Sequence, residues 1–173
     1  MTFSLVGRCA RTGMLGAVVT TSSIAVGSRC SHARAGIGAA LTQHRTDPRL
    51  GPLALDLLAH GFSAPEAMQA VVAATPHRHW RQLALIDADG RTAVYSGANV
   101  CAERGEAQGR DCAAIANIVR SAALPQAMVS AFEASPDQPL ARRLLDALAA
   151  GEAAGGEYQP VTSAALLVVD RES

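Results

Sequence analysis

Lysine is absent from the 173 residues: all 15 basic side chains are arginine. No side-chain amine is therefore available as a Schiff-base former or a lysine general base. Acidic residues are missing before Asp47, while Arg8, Arg11, Arg29, Arg34 and Arg45 precede it, so the first 46 residues carry a formal +5 within a net charge of zero. That asymmetry predicts an N-terminal quarter that favours anions. Aromatics are scarce, with one Trp, two Tyr and three Phe, so the core must be built from Ala, Val, Leu and Ile. The four cysteines include no C-x-x-C pair, and in a chain of this size without a signal they are expected to be reduced thiols of a cytoplasmic protein. The apolar run at 14–27 resembles a signal h-region in length, but Thr20, Thr21, Ser22 and Ser23 interrupt it, and it is too short to span a membrane. No phosphate loop or dinucleotide fingerprint occurs, so no cofactor is expected. No basic stripe is interleaved with aromatics, which argues against nucleic acid.

What is present fits one domain, spanning 1–173, long enough to bury its own core. Alternation predicts a strand over 1–6 and a second over 15–21, paired as a hairpin through a turn at 8–13. A short strand is expected at 24–29 and another over 35–44. From Leu50 the period changes to three and four residues, giving a helix closed by Gly61. Ser63-Ala64-Pro65-Glu66 has the form of a capping box opening a helix over 64–74. Asp89-Gly90 predicts a hairpin between strands at 83–87 and 92–96. Residues 97–112 read as a surface loop, 113–119 as a strand, and 122–134 and 138–150 as helices, the second ending at Gly151. The last apolar run, 163–170, reads as a buried strand. Strands, paired helices and strands again indicate an α+β layered fold with mainly antiparallel sheets.

The chemistry is sought in the first six residues. If Met1 is removed, which a small second residue permits, Thr2 presents an amine and a hydroxyl on one residue. A free α-amine has a pKa of about 8, so part of it is neutral near pH 7.5 and can take the hydroxyl proton. Thr2, Ser4 and Val6 share one face of the strand while Phe3 and Leu5 share the other.

Several stretches carry a family resemblance: MTFSLVGR, AVGSRCSHARAGIGAALTQ, LGPLALDLLAHGFSAPEAM, RQLALIDADGRTAVYSG, Asn117-Ile118, LARRLLDALAAGEAAGG and SAALLVV. In this order they resemble the DUF1028 family, a group with an N-terminal-nucleophile (Ntn) hydrolase fold. The resemblance implies a four-layer αββα sandwich and cleavage of an amide or related C–N bond by a leading Thr, Ser or Cys. It places Thr2 as nucleophile, Arg34 beside the amine, and a hydroxyl of Ser22 or Ser23 orienting that amine. Gln43 and Asn117 become candidate oxyanion donors, and Gln43, Arg45, Arg81 and Glu157 candidate substrate contacts, with Gln82 beside Arg81 in the same segment. Two departures affect the pocket wall: Gly156-Glu157-Tyr158-Gln159-Pro160-Val161-Thr162 replaces an Arg-Gly-Gln pattern, and Ile115-Ala116-Asn117 replaces Gln-Gly-Asn.

The expectation is a hydrolase acting on a C–N bond of a small, anionic amide, ureido compound or lactam, in a homo-oligomer. The rival is a non-catalytic module of the same fold that binds a ligand or accompanies a catabolic enzyme. A thiol hydrolase using Cys9 or Cys30 is a third option. His77 and His79 lack a third ligand, so no metal site is expected. Cys30 and His32 are separated by one residue in an expected strand and are not assigned a joint role. Asp87 and Asp89 read as turn residues.

Overall fold

The computed structural model describes residues 1–172. Nine strands and four α-helices run in the order β1 (Thr2–Arg8), β2 (Leu15–Thr21), β3 (Ser31–Arg34), β4 (Gly38–His44), α1 (Leu50–Ala59), α2 (Ala64–Ala74), β5 (Arg81–Asp87), β6 (Thr92–Ser96), β7 (Arg104–Gly109), β8 (Cys112–Asn117), α3 (Leu124–Glu133), α4 (Leu140–Ala153) and β9 (Ser163–Val169). Every strand pairing is antiparallel. One sheet has the order β7-β8-β1-β2-β9 and the other β3-β4-β5-β6.

Three hydrophobic clusters order these elements in space. Val6, Ala17, Val19, Ala39, Leu41, Ala84, Ile86 and Ile115 fill the space between the two sheets. Phe3 and Leu5 join Met128, Phe132, Leu140 and Leu144 between the five-stranded sheet and the pair α3 and α4. Ala40, Leu83 and Leu85 join Leu50, Leu58, Met68 and Val71 between the other sheet and α1 and α2. Both sheets are thus covered on both faces, helices outside and sheet against sheet inside. Full burial of each Val, Leu or Ile in these layers stabilises the fold by about 1.5–3 kcal/mol. No helix among the described residues is long and apolar enough to cross a membrane.

The alternation of β1 holds, but neither face meets solvent: Phe3 and Leu5 enter the helix layer while Ser4 and Val6 enter the inter-sheet layer. The capping box at Ser63 is present, with the Ser63 side chain accepting from the Glu66 N–H and the Glu66 carboxylate accepting from the Ser63 N–H at 2.8 Å. Asp87 is structural as expected, its Oδ1 accepting from the Asp89 and Arg91 N–H groups at 3.0 Å each.

Several expectations fail for identifiable reasons. Residues 24–29 form no strand; Val26–Ser28 make a 3-10 turn entered through Ala25 in a left-handed conformation (φ 55°). The segment 35–44 divides, since Gly36 (φ 65°) turns the chain between β3 and β4. The expected loop at 97–112 contains β7. Its outward residues Arg104, Glu106 and Gln108 are polar, and its inward ones are Gly105, Ala107 and Gly109, so no apolar period marks it. A Cβ on Gly109 would lie 2.5 Å from Val129, and one on Gly105 would lie 3.2 Å from Pro125. Small residues there let α3 close against the strand. Helix α4 runs through Gly151 to Ala153, because the missing Cβ accommodates the Phe3 ring. Finally, β9 is an edge strand, with Leu166 40% exposed.

Candidate functional site

Thr2 opens β1, the middle strand of the five-stranded sheet, and its side chain points into the inter-sheet layer with Ser4 and Val6. With Met1 attached, Thr2 is 7% exposed. Its Oγ1 lies 3.3 Å from the Oγ1 of Thr21, and both hydroxyls reach the Met1 carbonyl, that of Thr21 at 2.5 Å. The hydroxyl facing Thr2 is therefore Thr21, and neither expected serine fills that role. Ser22 uses its backbone N–H to bind Glu157, and the Ser23 hydroxyl accepts from Arg29 at 3.1 Å on the surface. Strand parity explains the difference. Thr21 faces inward with Ala17 and Val19, and the chain leaves the sheet after it.

Beneath Thr2 lies a buried amide network. Ser4 Oγ donates to Gln43 Oε1 at 2.7 Å, and Gln43 Nε2 donates to Gln82 Oε1 at 2.7 Å. Asn117 Nδ2 donates to the same Gln82 oxygen at 2.9 Å. Gln82 Nε2 donates to Ala116 O and to Ser96 Oγ, each at 3.0 Å, and Ser96 Oγ passes its own proton to Glu106 at 3.0 Å. Gln82 thus uses two donors and two acceptor positions, the full capacity of a carboxamide in this setting. Because the Gln82 oxygen accepts from both neighbours, Asn117 must turn its amide nitrogen toward it. That leaves Asn117 Oδ1 buried without a partner. Asn117 pairs with Thr2 across the ladder, so its orphan acceptor lies at the Thr2 end of the sandwich. Gln43 is 1% exposed and engaged at both ends of its amide, and it contributes to the scaffold of the site. Gln82 is the hub, and no pattern in the apolar strand β5 singles it out over Arg81.

Glu157 completes this end. It is 5% exposed, its Oε2 accepts the Ser22 N–H at 2.8 Å, and its Oε1 is the second buried side-chain oxygen without a partner. Burial pushes its pKa up, and the Ser22 hydrogen bonds and the terminal ammonium pull it partly back. His44 sits at the same end, stacked on Trp80 with ring centroids 6.0 Å apart, its Nδ1 3.0 Å from the Trp80 carbonyl. Burial lowers its pKa, and the terminal ammonium, Arg45 and Arg104 act on it in the same direction. Arg45 lies 4.7 Å from the Trp80 ring. His44 (φ 68°) follows Gln43 and Ile118 (φ 54°) follows Asn117, both in left-handed backbone. For a β-branched residue such as Ile118 that conformation costs about 1–2 kcal/mol.

Other expected residues lie elsewhere. Arg34 pairs with Gly38 at the opposite end of β4 from Gln43, about 16 Å away along the strand. Its guanidinium is partly exposed and pairs with Asp56 at 2.8 Å. Arg81 alternates out of the inter-sheet layer; its Nη2 lies 3.7 Å from Asp47 and donates to the Pro76 carbonyl, while its Nη1 donates to the Arg45 carbonyl. Folding neutralises part of the basic N-terminal quarter, since later acids are brought to it: Asp111 meets Arg8 at 2.8 Å and Asp56 meets Arg34. All four cysteines are free. Burial pushes Cys30 up and Cys112 to about 12, and Cys9 packs in the α3–α4 cluster beyond the far end of β1. Among the described residues no three His, Cys, Asp or Glu side chains converge as metal ligands. A cavity of about 550 Å³ lies between Phe3, Thr20, Leu145, Leu148 and Val161 on the helix side, and another of about 500 Å³ lies among Arg11, Arg110, Glu133 and Arg143 at the far end; Thr2 lines neither.

Fold and site together define an α+β sandwich of two antiparallel sheets, with unsatisfied acceptors gathered at the start of its central strand. The chain belongs to the DUF1028 family, a family of unknown function, whose model matches residues 2–173. Among solved structures it resembles the crystal structure of a DUF1028 protein from Silicibacter pomeroyi, with 31% identity and a TM-score of 0.91. That match covers 98% of this chain and 73% of the other. No curated protein sequence matches the chain.

Proposed function

We propose that the chain is an N-terminal-threonine hydrolase with the Ntn αββα sandwich, acting on a C–N bond of a small anionic amide, ureido compound or lactam. The observation that carries the reading is the Thr2 hydroxyl, turned into the inter-sheet layer 3.3 Å from the Thr21 hydroxyl and beside the orphan oxygen of Asn117. Hydrolysis of the Met1–Thr2 peptide bond removes the carbonyl that both hydroxyls hold and leaves an amine on Thr2.

In this mechanism Thr2 Oγ1 attacks the substrate carbonyl carbon while its proton passes to the α-amine. The tetrahedral oxyanion is stabilised by a backbone N–H, because the Asn117 amide nitrogen, the donor expected for that role, is turned to Gln82. The C–N bond then breaks, the leaving nitrogen takes the proton back, and water cleaves the resulting ester to restore Thr2. Asn117 Oδ1 is an acceptor and so suits an N–H of the amine or of the substrate. Arg45 and Arg104 at this end suit a substrate carboxylate. Arg34 and Arg81 have no part in this scheme. Self-association follows by analogy with similar sandwiches.

The second reading is a non-catalytic ligand-binding or assembly module, favoured by the closure of Thr2 beneath Met1. A screen of small amides, ureido acids and lactams against tag-free protein, with Thr2→Ala as the blank, tests the first reading. Turnover in the native protein and none in the variant supports it; equal rates in both remove it.

A further inference from the structure

The neighbours of β1 show what surrounds the amine. Thr2 pairs with Asn117 on β8 and Phe3 with Thr20 on β2, so the position just before Thr2 faces Ile118 on one side and Ser22 on the other. Glu157 touches both flanking chains past this point. Its backbone bridges Val119, and its Oε2 accepts the Ser22 N–H at 2.8 Å. Arg120 fixes the segment, donating its backbone N–H to Gly156 O and its Nε to Glu157 O, each at 3.0 Å. The carboxylate is thereby held across the open end of β1, with one oxygen engaged and Oε1 buried and unpartnered.

We infer that Glu157 is a positioning residue for the amine freed at Thr2: its unpartnered Oε1 accepts one of the amine's N–H donors and holds the nitrogen beside the Thr2 hydroxyl. A buried acceptor without a donor destabilises the fold, and an ammonium supplies the donor it lacks. The other charged and titratable groups at this end include Glu152 from α4, His44 and Arg45 from the end of β4, Arg104 from β7, and Arg120, whose Nε donates to the Glu157 carbonyl. Among them, Glu157 is a carboxylate that is both buried and short of a donor. The inference rests on Thr2 being the nucleophile, and it changes the role of Glu157 from substrate contact to amine anchor.

The absence of lysine makes the test selective, because the α-amine is the sole aliphatic primary amine in the chain. Tag-free wild type, Glu157→Gln and Glu157→Asp are treated with a trace of an amine-acylating reagent between pH 6 and 9. Acylation is read by intact mass after hydroxylamine removes labile esters. Loss of the carboxylate leaves less to hold the amine protonated, so the reactivity midpoint falls by about half a unit to one unit in Glu157→Gln. Glu157→Asp, which withdraws the carboxylate by one methylene, lowers it by less. Gln still offers an oxygen to the Ser22 N–H, which keeps the segment anchored. A midpoint equal to wild type in either variant, on chains that lack Met1, overturns the anchor role and leaves the Thr2 reading standing. Chains that retain Met1 defeat both, by a different observable.

Discussion

The two ends of the sandwich solve the same electrostatic problem differently. At the far end, where β1 finishes and the β5–β6 hairpin turns, charges are paired: Arg8 with Asp111, Arg34 with Asp56, and Arg91 with both Asp87 and Asp89, all at 2.8 Å. At the Thr2 end, two buried side-chain oxygens, Asn117 Oδ1 and Glu157 Oε1, have no partner, and His44 and Ile118 hold left-handed backbone. Native interiors seldom leave buried polar atoms orphaned. Left-handed backbone is not confined to this end, since Asp111 beside Arg8 has φ 58°, and Arg8 Nε and His32 Nε2 are also buried without a partner. What sets the Thr2 end apart is that its two orphans are side-chain oxygens, and this points to a missing donor there.

The largest effect that sharpens this contrast is Thr2→Ala, expected to lower turnover by about 10³-fold or more with the circular dichroism spectrum unchanged. Thr21→Val should reduce turnover by about tenfold or more, as loss of a hydroxyl that orients the nucleophile, whereas Ser23→Ala leaves it near wild type. Next comes stability: Gln82→Leu removes the partner of Gln43, Asn117, Ala116 and Ser96, and denaturant unfolding should show a loss of about 3 kcal/mol or more. At the far end, Arg34→Ala breaks a partly exposed pair and should cost under about 1 kcal/mol. Equal losses from Gln82→Leu and Arg34→Ala would erase the distinction between the ends.

A pH comparison sharpens it further. Burial raises Glu157 above its unfolded value, so its contribution to stability is fully present below about pH 4 and is lost as pH rises through the folded value. In the chain that keeps Met1, where no Thr2 ammonium meets it, Glu157→Gln, neutral throughout, should therefore be at least as stable as the parent at pH 7, with that advantage vanishing in acid. Thermal melts across pH 3.5–8 check the crossover. Stability of the parent that climbs relative to the variant on going from acid to neutral pH contradicts it.

Much of the fold was legible because its signals are local. The three- and four-residue spacing from Leu50, the Ser63–Glu66 box and the Asp89-Gly90 turn each act within a few residues. What escaped depends on contact at a distance. β7 hides behind Gly105, Ala107 and Gly109, whose smallness answers α3 and not a local pattern. Thr2 was read from its own chemistry, Asn117 from the resemblance and Glu157 as part of a departure from the family pattern, and the structure brings the three to one end. Arg34 lies at the opposite end because spacing along the chain says nothing of which end of a strand a side chain occupies. Thr21 was missed, and Gln82 was named with Arg81 but not preferred to it, since both faces of β2 and β5 are buried, which removes the alternation that would reveal parity.

The central claim is that the chain works with a free Thr2 amine. Intact mass spectrometry of tag-free protein, followed by mild periodate treatment, tests it most directly, because periodate cleaves a 1,2-amino alcohol and leaves an aldehyde only where amine and hydroxyl are both free. The account predicts a mass lacking one methionine residue and full conversion by periodate; a population that keeps Met1 and resists periodate contradicts it.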